Sequence, residues 1–212
     1  MATYASIKYN FTPPDATISA PVGAGAMKLV KSLTSDGSDD DLSFVDGTSD
    51  VVLDNTYKTY IFKFINMHPQ TDDKALSFNG STDTGSNYNV TKTTSFFTAY
   101  HSEGDATPVL EYVTGQDLAQ STAFQKILSG GSGATGSGGD ECCSGELWLF
   151  SPFDTTFCKH FLSVGNDYQN GNYSMVNYVG GYFNTTSAVD AIQFKFVSGE
   201  IQAGTINLYG IA

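Results

Sequence analysis

The sequence predicts an all-β protein: an antiparallel β-sandwich, jelly-roll-like, carrying an extended N-terminal arm. Three observations predict it. Hydrophobic residues make up 40% and aromatics 13% of the 212 positions, which excludes a disordered chain and is enough for one sizeable core. Tyr, Phe, Thr, Val and Ile are abundant, and these residues suit a pleated, half-buried surface. Short runs of alternating polarity follow one another at close spacing, separated by Gly, Asp, Asn and Ser, as in a sandwich or barrel.

Residues 1–26 read as the arm. Asn10-Phe11-Thr12-Pro13-Pro14 cannot continue a helix or sit in a central strand, and no periodic pattern follows up to Ala26. Residues 27–212 read as one domain. Lys28–Leu33 alternates, and Ser35–Asp41 is an acidic turn. Leu42–Val45 and Val51–Leu53 are short strands around Asp46-Gly47. Tyr57–Met67 is the longest run, with Tyr60, Phe62 and Phe64 on one face and Ile61 and Ile65 flanking Lys63 on the other. Strands are expected at Ala75–Phe78, Tyr88–Thr91, Ser95–Tyr100 and Val109–Val113, then one helix at Gln116–Leu128.

Residues 129–140 are Gly/Ser-rich and read as a long surface loop inside the domain. Glu146–Phe150 and Phe157–Val164 form a hairpin with a wide turn. In a symmetric register Phe150 faces Phe157 and Leu149 faces Cys158. Leu147, Leu149, Cys158, His160 and Leu162 then share one face, and Trp148, Phe150, Phe157 and Phe161 the other. Trp148 reads as core. Val176–Phe183, Ala191–Val197 and Gly204–Ile211 complete the set, with Ile192, Phe194, Phe196, Ile206 and Leu208 inward. Several strands are apolar on both faces, which implies cover from the second sheet on one side and from another subunit on the other.

The formal charge is −12, and the chain has ten lysines and no arginine. An acidic chain without the preferred phosphate-gripping side chain argues against nucleic acid as a partner. Met1–Tyr9 lacks the apolar segment of a signal peptide, and no apolar run is long enough to span a membrane. Five N-x-S/T triplets, at Asn10, Asn79, Asn89, Asn172 and Asn184, are then chance products of an Asn- and Thr-rich chain. Cys142, Cys143 and Cys158 are odd in number and lack zinc-ligand spacing, so they read as reduced thiols.

No catalytic, cofactor-binding or metal site is expected. Gly133–Gly139 has the letters of a dinucleotide loop, but Asp140 and Glu141 stand where phosphate would sit. His68, His101 and His160 have no triad context, and Cys158 with His160 reads as two residues filling a sheet face. Asp36, Asp39, Asp40 and Asp41 carry oxygen ligands suited to calcium without EF-hand spacing, and read as a solvated turn.

From about Ser43 onward the chain resembles virion structural proteins of tailed phages that infect marine bacteria, of the cyanophage and pelagiphage type. The resemblance runs through Asp54–Tyr57, Phe64–Pro69, Phe78–Ser81, Tyr88–Thr94, Asp117–Ser121, Leu149–Pro152, Thr155–Phe157 and Lys159–Phe161. It is strongest at Gly181–Ala188, Ser198–Ile201 and the closing Gly204-Thr205-Ile206-Asn207-Leu208-Tyr209-Gly210-Ile211. It implies a virion part assembled in the host cytoplasm and carries no catalytic residues. The expected function is non-enzymatic: a capsid cement or decoration protein on the particle exterior, with its arm across a neighbour. Its partners are then itself, as a homo-oligomer with a trimer expected from architectural habit, and the major capsid protein. The alternatives are a tail-fibre or receptor-binding protein, with the Asn166–Asn177 loop meeting a host surface glycan, and a lectin-like carbohydrate-binding module.

Overall fold

The computed structural model describes residues 26–130 and 133–211. The predicted arm therefore lies, apart from Ala26, outside the described residues. Among the described residues there are thirteen strands and no helix. They are β1 Met27–Thr34, β2 Leu42–Val45, β3 Thr59–Pro69, β4 Leu76–Ser81, β5 Lys92–Ser102, β6 Val109–Tyr112 and β7 Gln125–Gly130. There follow β8 Gly133–Ala134, β9 Cys143–Phe150, β10 Lys159–Gln169, β11 Tyr173–Phe183, β12 Ala191–Phe196 and β13 Ile201–Ile211.

Two antiparallel sheets face each other. The larger has the order β1-β13-β3-β9-β10-β11-β5-β6 and the smaller β2-β12-β4-β7-β8. Setting aside the hairpins β5–β6 and β10–β11 and the two-residue β8 leaves eight strands in two sheets of four. Their orders are first-last-third-sixth and second-seventh-fourth-fifth, the double Greek key of a jelly roll. The two hairpins are insertions, and both lengthen the same sheet beyond β9.

The predicted inward residues build the core. Phe194 of β12 packs against Phe44, Phe62, Phe64 and Phe78, with ring centroids 5.2 to 6.3 Å apart. Phe78 continues the cluster to Phe161 and Phe183 in the inserted strands. Tyr60, Phe62 and Phe64 are buried while Lys63 and Ile65 face outward, as the period of two requires.

Several expectations are corrected. Gln116–Leu128 is not a helix: the Leu118 N–H donates to Thr94 Oγ1 and the Gln120 N–H to Thr93 Oγ1, so β5 draws the segment out, and Gln125 opens β7. Val51–Leu53 and Tyr88–Thr91 are not strands, although Val51, Leu53 and Val90 are buried. The Leu53 N–H is held by Asp46 Oδ1, and the Asn79 side-chain amide donates to the Tyr88 carbonyl.

Residues 129–140 are not wholly a surface loop. Ser129 and Gly130 pair with Ala134 and Gly133, and Thr135 is fully buried. The composition has a packing reason here. A Cβ on Gly130 would fall 2.1 Å from Met175 Sδ, so any larger residue would have to displace the Met175 side chain packed between β7 and β11.

The hairpin register is corrected by three residues: Leu149 pairs with Phe161 and Trp148 with Leu162. Asp154 Oδ1 accepts from the Thr156 and Phe157 N–H groups at 2.6 and 2.7 Å, which keeps Phe157 in the turn. An odd shift exchanges the faces of one strand. Phe161 therefore joins Leu147 and Leu149 in the core, Leu162 joins Trp148 outside, and Phe157 is 70% exposed.

Candidate docking face and buried polar groups

The inserted strands place apolar side chains on the outside of the large sheet. Register aligns Trp148 of β9, Leu162 of β10, Gly180 of β11 and Ser95 of β5 in one row. Glu146, Val164, Tyr178, Phe97 and Tyr112 form the next. Phe97 and Tyr178 stack with centroids 4.8 Å apart and planes within 8°. Gly180, lacking a side chain, leaves a groove of about 560 Å³ bounded by Phe97, Trp148, Phe150, Leu162 and Tyr178. Leu162 is 55% and Leu110 76% exposed.

Trp148, expected in the core, is half-buried on this outer face. Its indole N–H donates to Glu146 Oε1 at 2.7 Å, and Glu146 also meets Lys63 at 3.5 Å. The Tyr112 hydroxyl donates to Asp117 Oδ2. These polar atoms around the face already have partners, so what the face offers is apolar.

The inner side of the same strands holds polar groups among the buried Phe96, Phe161, Met175, Val179 and Phe183. Asp167 lies between Cys143 and Met175 in neighbouring strands and is fully buried. Neither of its carboxyl oxygens has a hydrogen-bond partner among the described residues. Burial, then the charge of Asp73, pushes its pKa up to about 7. Buried Asn177 and Thr135 also hold side-chain atoms without such partners. Lys92, fully buried, donates from Nζ to Asn79 Oδ1 at 2.7 Å and to the Val90 carbonyl at 3.1 Å, and burial pulls its pKa down to about 7. Lys159 Nζ likewise reaches the Phe157 and Thr185 carbonyls, and burial lowers its pKa.

The other sequence features stay apart. Cys142, Cys143 and Cys158 are free thiols; Cys143 is buried, and Cys158 precedes β10 beside Asn184. His160 is exposed on β10 near Tyr182 and Cys158 lies before the strand, so the two do not fill a sheet face together. In the acidic turn Asp36 accepts from Ser38, Asp39 from the Asp36 N–H and Asp41 from Ser43, which spends these carboxylates on local turns. No three His, Cys, Asp or Glu residues converge on a metal-sized centre among the described residues.

Alternation in the sequence indicated the outer face, but the hairpin register hid which residues formed it. The buried Asp and Lys residues gave no separate sequence signal, because both residue types also occur in exposed turns. No protein-family model, curated protein or solved structure matches the chain.

Proposed function

We propose that the chain is a non-enzymatic structural protein of the exterior of a tailed-phage virion, acting as a capsid cement or decoration protein. The observation that carries this reading is the apolar outer face of the inserted strands. Contiguous apolar surface on a folded domain marks a place that another macromolecule covers. The jelly roll is a wiring used by viral capsid domains and by lectin domains, so it supports this class without selecting within it. The resemblance of the closing Gly204–Ile211 run to phage structural proteins supplies the virion setting.

The test is its copy number in washed, purified particles, by quantitative mass spectrometry, with immunogold labelling to locate it. Hundreds of copies spread over the shell are expected. Label confined to the tail moves the protein to a fibre or receptor-binding role, and absence from the particles ends the virion reading.

One observation favours a glycan-binding alternative: Trp148 lies on the outer face beside Tyr178, where an aromatic ring can stack on a sugar. Sugar recognition also needs polar groups that converge on hydroxyls. The indole N–H is already committed to Glu146, and apolar side chains form the groove wall. A glycan array without binding removes this alternative.

A further inference from the structure

The inserted strands mix polarity on both faces: inward, Phe96, Phe161 and Phe183 join the core beside buried polar groups. Between the sheets they hold Lys92, Asp167 and Asn177, while Phe97, Leu162 and Tyr178 point outward. No outward side chain of β5, β10 or β11 is a carboxylate or a lysine. In a chain of net charge −12 that is an unusual expanse.

Resting on the structural-protein reading and deepening it, we infer that this face is covered by the same face of a second copy of the chain, the two sheets stacking about a twofold axis. Charge is the first argument. Two acidic copies repel wherever unpaired carboxylates approach, and they can meet closely where carboxylates are absent or, like Glu146 of β9, already paired within the chain to Lys63 and Trp148. A basic partner would gain more from the acidic remainder of the surface than from this neutral face.

Area is the second argument. Three strands of 11 residues, with the eight-residue β9 and four-residue β6 beside them, give a face on the order of 700 Å². A stable interface needs roughly that from each partner. Shape is the third. Each copy presents both the protruding Leu162 and the groove over Gly180, as a self-complementary contact requires. Burying Trp148 leaves no indole donor unpaired, because Glu146 accepts it within the same chain.

The test is sedimentation velocity on the purified full chain from about 1 to about 100 µM, alongside three variants. Leu162→Glu puts a charge at the centre of the face. Gly180→Val fills the groove; a Cβ there meets Leu162 Cδ2 at 3.3 Å, the end of an exposed side chain that can swing aside. Val197→Glu, at a 46% exposed site of the smaller sheet's end, is the control. The expected result is a two-copy species for the parent and Val197→Glu. Dissociation should be at least about 100-fold easier for Leu162→Glu and Gly180→Val, with unchanged β-type circular dichroism. A parent that stays monomeric but binds purified virions overturns the second-copy inference and leaves the structural reading standing. Assembly that ignores both face variants, or settles at three copies, also overturns it. A monomer absent from virions sinks both readings.

Discussion

Replacing Asp167 by Asn should stabilise the protein at neutral and alkaline pH and do little in acid. The carboxyl sits fully buried in β10 with neither oxygen hydrogen-bonded to a described residue. Burial and Asp73 raise its pKa from 3.8 to about 7. Between those values the folded chain holds a proton that the unfolded chain has lost. The favourable contribution of that proton is complete below the unfolded pKa and is gone once pH has risen through about 7. A gap of about three pH units at about 1.4 kcal/mol each is on the order of 4 kcal/mol. The amide has the shape of the protonated carboxyl and never ionises. The advantage of Asp167→Asn should therefore grow from near zero at about pH 4 to about 4 kcal/mol at about pH 8, or roughly 8 to 16 °C in melting temperature. Thermal melts of both proteins across this range, followed by circular dichroism, measure it. Carboxylates with pKa values lowered by turn hydrogen bonds, such as Asp36, Asp83 and Asp154, destabilise both proteins alike in acid and cancel in the difference. A difference that stays flat with pH would refute the reasoning.

Lys92→Met should show the opposite trend. With the folded pKa drawn down to about 7 and the unfolded value at 10.5, parent stability rises through that window, so any advantage of Met in melting temperature should shrink from pH 6 to pH 10. Phe194→Ala removes the ring shared by four core neighbours and should lower the unfolding free energy by about 3 to 5 kcal/mol in urea titration; a loss under about 1 kcal/mol would contradict its central place. Cys143 should resist maleimide labelling in the native protein and react only on unfolding, because it is buried and burial raises its thiol pKa; mass mapping of modified peptides tells it from half-buried Cys142 and Cys158.

Most of the sandwich was legible in the sequence because the period of two survives in the long strands. Tyr60-Ile61-Phe62-Lys63-Phe64 and Ile192-Gln193-Phe194-Lys195-Phe196 declare both strand and inner face. The failures have local causes. Gln116–Leu128 looked helical because the hydroxyls of Thr93 and Thr94, which claim its backbone, lie more than twenty residues away in sequence. The β9–β10 register failed because a turn capped by Asp154 holds Phe157 and Cys158 out of the ladder, and symmetry is a poor guide to a wide turn. That error concealed the candidate face, since an odd slip exchanges Phe161 and Leu162 between core and surface.

The two inserted hairpins bring together features that are each unfavourable to an isolated chain. They bury a carboxyl and two amines behind the sheet and leave Phe97, Leu162, Tyr178 and Leu110 uncovered in front. The eight jelly-roll strands bury no charged side chain and close around Phe44, Phe62, Phe64, Phe78 and Phe194. Stability alone would favour reversing each pair, with apolar side chains inward and polar ones outward. Departures of this kind concentrate where a fold has been adapted for a task. Covering the front of the insertion removes the larger part of its apolar exposure, whereas nothing in that step relieves Asp167 or Lys92. The pH dependence carried by those two groups should therefore persist in any assembled form, and melts of an assembly-deficient Leu162→Glu chain should show the same Asp167→Asn difference as the parent.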